Sequence, residues 1–246
     1  FLKEVETGDE KPRIGRRVAV YGGGNTAMDA ARTAARLGAE PLIIYRRTRE
    51  QMPAHDFEAD EAIEEGVKIH WLRTIKKIDG TTLHVEVMRL DENRCPVPTG
   101  EYETLEADSV ILALGQDSDT TFLKNVPGIT FKSDGTVVVG RDMQTGCPGV
   151  FAGGDMVPYE RTVTTAVGHG KKAARHINAW LRGEARSPQT KHELATFEML
   201  RLWYHAEATR RGQSTIDLER RRHTFEEVVA GLDGTAARYE AQRCVS

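Results

Sequence analysis

Cysteine is scarce in this chain: three among 246 residues, Cys95, Cys147 and Cys244, with long stretches between them. No C-x-x-C pair exists and no disulfide framework follows from such spacing. That argues against a cross-linked secreted domain and against a dithiol centre of the thioredoxin reductase kind. A reducing, cytoplasmic setting is expected. Long apolar runs are also missing. None approaches the ~20 residues a membrane span needs, and the first residues carry no signal-peptide pattern. Neither sign of charge dominates: 34 basic and 37 acidic residues leave a net −3. Nothing in that balance draws the chain toward nucleic acid or an anionic membrane. Internal repeats and low-complexity tracts are lacking too. An initiator methionine is absent, and Cys244 stands two residues from the end, so a piece of a longer polypeptide is expected. What remains, 39% apolar and 29% charged residues with 23 Gly and 9 Pro, is the composition of a folded globular chain. Its length suits one large domain or two small ones.

Hydrophobic patterning places the elements. Residues 1–15 are polar and read as a linker. The apolar run at 17–21 suits a buried parallel strand. A helix over 26–37 repeats alanine at helical spacing (Ala27, Ala30, Ala31, Ala34) and stops at Gly38. A second strand at 42–45 completes a strand–helix–strand unit of about 30 residues, the size of a βαβ crossover. Residues 46–56 are a charged, Pro-containing loop, and 57–65 an acidic helix ending at Gly66. A strand follows at 67–72. The alternation of Leu83, Val85 and Val87 with His84, Glu86 and Met88 predicts an antiparallel strand, and 93–100 a turn-rich link. Further strands are expected at 109–114, 136–139 and 149–152, and a helix at 162–181. From Gln189 the chain becomes a charged tail with helices expected at 191–211 and 218–230.

The motif Gly22-Gly23-Gly24-Asn25-Thr26-Ala27 stands between the first strand and its helix and fits G-x-G-x-x-[GA]. Gly22 suits the tight turn, Gly24 lets a phosphate approach the backbone, and Ala27 lets the helix sit close to the strand. Amides at a helix start, with the helix dipole, favour a dianion. The pattern predicts a dinucleotide site; a plain glycine-rich turn in an α/β sheet has the same letters. An acid usually follows the second strand to bind a ribose 2′-hydroxyl. Here Arg46 and Arg47 occupy that place, with Arg49 close by. Guanidinium groups suit a 2′-phosphate, so NADP(H) is favoured over NAD(H). The same arginines also suit simple solvation of a strand end.

A second motif runs from Thr145 to Asp155 and fits T-x(4)-h-F-A-x-G-D, with Val150-Phe151-Ala152 as its apolar core. Gly153 and Gly154 would let the backbone pass near a ligand, and Asp155 could accept a bond from a ribityl hydroxyl. The helix that starts near Arg161 would favour negative charge on a reduced flavin. An ordinary strand–turn–helix is the other reading. Between the motifs, Ala113-Leu114-Gly115-Gln116 closes an apolar run.

In this order, these elements resemble flavoprotein reductases with two dinucleotide-binding domains. Gly22 to Asp29, the run Tyr45-Arg46-Arg47-Thr48-Arg49-Glu50-Gln51-Met52-Pro53-Ala54, and Ala113 to Gln116 are similar to the glutamate synthase small (β) subunit family and to the N-terminal reductase part of dihydropyrimidine dehydrogenase. The resemblance covers about 1–185. It implies hydride transfer from NADPH to FAD, with electrons passing on through iron–sulfur clusters. It assigns the nucleotide's phosphates to Gly23, Gly24, Asn25 and Thr26, its 2′-phosphate to Arg46 and Arg47, and the nicotinamide side to Ala113, Leu114 and Gly115. FAD contacts fall on Gly154, Asp155, Thr162, Val163 and Thr164. The acceptor it implies is a protein or subunit: a glutamate synthase large subunit, a sulfur-metabolism enzyme or a ferredoxin.

The chain departs from that family in lacking a second glycine fingerprint and the N-terminal cysteine-rich cluster domain. Its tail, with Trp203-Tyr204, resembles longer iron–sulfur flavoproteins such as the one associated with dissimilatory sulfite reductase. Cys244 suits either a truncated cluster motif or an inert thiol. The expected fold class is therefore α/β: a Rossmann-like NAD(P)-binding domain inserted in a partial FAD-binding domain, with a helical C-terminal appendage. The expected boundaries are a linker at 1–15, an NAD(P)H-binding domain at 16–118, the C-terminal half of an FAD-binding domain at 119–185 and a helical tail at 186–246. That tail leads toward an iron–sulfur domain outside the chain. Hydride transfer between two cofactors asks for stacking rather than a side-chain acid or base, so no catalytic residue and no metal ligand is named. His70, His84, His169 and His176 read as ordinary surface or core histidines. A module that binds NADP(H) or docks a partner without turnover is the alternative function.

Overall fold

The computed structural model describes residues 1–184, 193–200 and 209–243. The chain divides into two compact units, Phe1–Gly115 with Leu200–Ser246, and Gln116–Met199.

The first unit opens with a helix, α1 (Leu2–Thr7), whose Val5 is buried. Residues 1–15, expected as a linker, thus hold a helical turn and a half. The parallel strands are β1 (Arg17–Tyr21), β2 (Glu40–Tyr45), β3 (Lys68–Trp71) and, later in the chain, β7 (Ser109–Leu112). They pair in the order β3-β2-β1-β7. Two helices lie between them in sequence, α2 (Asn25–Arg36) and α3 (Asp56–Glu64). The period of two is plain in β1. Val18 and Val20 join the cluster with Met28, Ala31 and Ala62 of the helices, while Ala19 joins Leu83 and Val85 on the other face. Both faces are covered, so the central strand is an unbroken apolar run. Four alanines of α2 are buried; their small side chains let the helix lie close on β1.

The second face is covered by an antiparallel sheet of β4 (Arg73–Asp79), β5 (Thr82–Leu90) and β6 (Pro96–Glu106), in that order. The sequence reading found only β5. Its expected alternation holds for Leu83 and Val85, then changes phase. A register shift between Glu86 and Met88 buries Met88 and leaves Val87 half-exposed, as a bulge does. The turn expected at 93–100 is confined to 91–95, where Asp91 Oδ1 accepts the amides of Asn93 and Cys95. From Pro96 the chain is already strand. β4 and β6 are edge strands with exposed polar faces, and prolines are tolerated there; that is why no apolar pattern marked them.

The tail differs from expectation. Of the helix expected at 191–211, the described residues hold only a 3₁₀ turn at Phe197–Met199, the rest of 193–200 and 209–211 is not helical, and 191–192 and 201–208 lie outside the described residues. Further on stand one helical turn, α5 (Leu218–Arg221), and a helix, α6 (Gly234–Gln242), capped by Asp217 and Asp233. Residues 222–230 are not helical; Thr215 bridges Val229 instead. Trp203, Tyr204 and Cys244 lie outside the described residues.

The second unit has a small core of Ile129, Val137, Met143, Ala152 and Val157. The strands expected at 136–139 and 149–152 are present only as single bridges, Phe131–Val137 and Gln144–Phe151. The expected long helix is α4 (Val163–Leu181), with no buried side chain among its described residues. No helix among the described residues is long and apolar enough to cross a membrane.

Candidate functional site

The carboxyl ends of the parallel strands in an open α/β sheet form the usual ligand crevice. The residues singled out in the first unit gather there. Gly22 follows β1 with φ +150°, and a Cβ built on it would lie 2.2 Å from Ala113 O. Ala113 N–H in turn donates to Tyr21 O at 2.9 Å. So the glycine loop and the segment after β7 touch through their backbones, with Leu114 and Gly115 exposed beside them. Gly23 is packed just as closely, against the Tyr45 ring. Gly24 is different. It is the N-cap of α2, no side chain caps that helix end, and a Cβ there would meet nothing within 4 Å. Asn25 is half-buried and Thr26 exposed. An uncapped helix start beside open space leaves amide donors for an anion.

The loop after β2 wraps onto this cradle. Ala54 N–H donates to Gly23 O at 3.1 Å, and His55 N–H donates to Asn25 Oδ1 at 3.0 Å. The Tyr45 hydroxyl donates to Gln51 O at 2.8 Å. Of the loop's three arginines, Arg49 is ion-paired with Asp60 at 2.6 Å. Arg46 is exposed, and neither it nor Arg47 forms an ion pair among the described residues. The Arg47 Nε is shielded from solvent and has no hydrogen-bond partner. Two uncompensated guanidinium groups thus stand on a loop fastened to the glycine loop. Behind the cradle, burial raises the carboxyls of Asp29 and Glu58 above the usual range, and the Asp29 charge adds to the rise at Glu58.

The second unit brings the other expected residues together. Gly154, at φ +67°, starts a short 3₁₀ turn through Met156. Its N–H donates to His169 Nδ1 at 3.1 Å, and a Cβ on it would stand 3.6 Å from Ala166 Cβ. The Asp155 side chain is exposed and has no partner among the described residues, while its carbonyl accepts the Ser118 hydroxyl at 2.7 Å. Thr162 caps α4 by accepting the Thr165 amide at 3.2 Å, and Val163 and Thr164 are exposed in the first turn. His169, in sequence an ordinary histidine, takes part in this packing. Its Nδ1 contact fixes a glycine of the second motif, and spacing alone could not have revealed it.

A parallel sheet flanked by helices, with a glycine loop where the first strand meets its crossover helix, defines an α/β protein of the dinucleotide-binding oxidoreductase type. The chain belongs to the pyridine nucleotide-disulphide oxidoreductase family, which matches residues 2–170. Membership implies FAD and a pyridine nucleotide as cofactors. Two relatives illustrate the likeness. The NADP(+)-dependent formate dehydrogenase subunit beta of Moorella thermoacetica is 37% identical over all of this chain and 37% of its own length. The glutamate synthase [NADPH] small chain of Azospirillum brasilense is 36% identical over 71% of this chain and 39% of its own. The resemblance to glutamate synthase small subunits is thereby borne out. The chain spans well under half the length of these relatives. Among solved structures, T. acidophilum thioredoxin reductase is similar at a TM-score of 0.58 and 26% identity, over 69% of this chain and 53% of that one.

Proposed function

We propose that the chain is the nucleotide-binding part of an NADPH-dependent flavoprotein subunit that passes electrons to a partner protein. The carrying observation is the pairing of an uncapped α2 start at Gly24 with two guanidinium groups on the neighbouring strand end, Arg46 and Arg47, that form no ion pair among the described residues. The amides near Gly23, Gly24, Asn25 and Thr26 would hold the diphosphate, the arginines a 2′-phosphate, and the segment Ala113 to Gly115 the nicotinamide side. NADPH-named relatives support the choice of phosphate over hydroxyl.

The second unit fits part of an FAD cradle. A tight glycine turn at Gly154, an exposed carboxylate at Asp155 and the start of α4 at Thr162, Val163 and Thr164 are the groups that would hold the ribityl chain and the flavin. Nicotinamide and flavin supply the hydride chemistry when bound; this chain's residues bind, orient and keep them in register. The subunit names of the relatives support a partner subunit as electron acceptor. An iron–sulfur relay beyond this chain belongs to the same proposal, as a reading of the resemblance.

Equilibrium titration with NADP+ tests the nucleotide site, and dye reduction by the full-length flavoprotein tests turnover. Tight NADP+ binding with NADPH-driven dye reduction is expected. Binding without dye reduction would favour a non-catalytic docking module; no binding would end the proposal.

A further inference from the structure

One carboxamide joins the two halves of the nucleotide site. Asn25 Oδ1 accepts the His55 amide at 3.0 Å, one residue after the Ala54 amide has been accepted by Gly23 O at 3.1 Å. Consecutive amides of the arginine loop are thus fastened to the glycine loop. Elsewhere that loop is held by groups outside the cradle: Gln51 Nε2 donates to Arg94 O at 2.6 Å, and Arg47 O accepts the Leu72 amide at 3.2 Å. Because Oδ1 faces an N–H donor, the Asn25 NH2 lies on the opposite side of the carboxamide, and no protein group among the described residues accepts from it. Among the described residues, Arg46 and Arg47 have no ion-pair partner to fix them. The backbone of their loop therefore bears on where the guanidinium groups stand.

We infer that Asn25 is a positioning residue: its side chain latches the arginine loop to the phosphate cradle and so sets discrimination between NADP(H) and NAD(H). The inference rests on the nucleotide reading given above and assigns this side chain a task distinct from backbone phosphate binding. A fastened loop presents its arginines at a fixed distance from the diphosphate. A loose one spreads them over many positions, and only the cofactor with a 2′-phosphate feels the loss.

The test is equilibrium titration of the full chain with NADP+ and NAD+ in four single variants and one double variant. Asn25→Ala opens the latch and should weaken NADP+ about three- to tenfold more than NAD+, the effect of one hydrogen bond. Asn25→Asp keeps an acceptor for His55 but places a negative charge beside the phosphates, so both nucleotides should weaken together and their ratio stay at the wild-type value. His55→Pro deletes the donor together with the imidazole, whose loss His55→Ala controls for, at a backbone φ of −63° that proline adopts. It should reproduce the ratio change of Asn25→Ala, with no further change when the two are combined. His55→Ala keeps the amide and should keep the ratio. If Asn25→Ala does not fold, His55→Pro carries the comparison. Equal loss of both nucleotides in Asn25→Ala or His55→Pro, with wild-type preference for NADP+ intact, overturns the latch alone. A wild-type chain that binds neither nucleotide overturns the nucleotide reading and the latch with it.

Discussion

The ring of Tyr45 fills the place that a side chain on Gly23 would need: a Cβ built there would lie 2.4 Å from two ring carbons. The ring cannot simply swing away, because its hydroxyl is bonded to Gln51 O and its edge meets Trp71 at a centroid distance of 6.3 Å. Gly23→Ala should therefore destabilise the first unit by about 1–3 kcal/mol, the usual range for overpacking. Gly24→Ala meets open space at φ −92°, so its melting temperature should move little while NADP+ affinity falls. Thermal melts and titrations of the two variants separate a packing glycine from a ligand-facing one.

Arg46 and Arg47, changed together to alanine, should weaken NADP+ by about 10- to 100-fold, the range for charge-assisted hydrogen bonds. NAD+ affinity should stay near the wild-type value. Parallel loss for both nucleotides would remove the arginines from the 2′-phosphate role. Arg49→Ala is the internal control, since that side chain is already paired with Asp60.

Asp108 contributes to the acid limb of stability. Its carboxylate accepts the Arg16 and Arg17 amides at 3.0 and 2.8 Å and an Arg17 guanidinium N–H at 2.8 Å, and the Arg17 guanidinium chiefly holds it down at about 2. A carboxyl lowered on folding stabilises the folded state above its unfolded value and ceases to do so as pH falls through the folded one. Melting temperature should thus decline between about pH 4 and pH 2. Asp108→Asn should be less stable at neutral pH and show a shallower decline over that window. An unchanged acid limb would show that the start of β1 does not depend on this carboxylate.

Much of the fold was legible because apolar periodicity and glycine punctuation agree. Val18 to Val20, the alanines of α2 and the stop at Gly38 each point to one βαβ unit, and the structure has it. The edge strands were not legible. The lysines of β4 and Pro98 of β6 face solvent, where no burial constrains sequence. Residues 222–230 show the converse error: charge at helical spacing gave a helical expectation, but no apolar stripe requires one there. At the site, residue types were readable and fastenings were not. The hydrogen bonds from Ala54 and His55 cross about 30 positions of sequence, and no local pattern encodes them.

Glu65 anchors the far end of the helical layer. Its side chain is 1% exposed and meets Arg32 at 2.6 Å and Arg36 at 3.6 Å. Glu65→Gln keeps the shape but leaves two shielded guanidinium groups short of a counter-charge. A loss of about 3 kcal/mol is expected, as when one member of a buried pair is removed. Urea unfolding at neutral pH measures it; a loss under about 1 kcal/mol would mean that Glu61, 2.9 Å from Arg32, compensates.

The contact between Gly22 and Ala113 has a mechanical consequence. Two turns that leave the sheet from different strands abut with no side chain to cushion them. A push on one is transmitted directly to the other. In the proposed nucleotide site, that contact would join the phosphate end to the place assigned to the reactive ring.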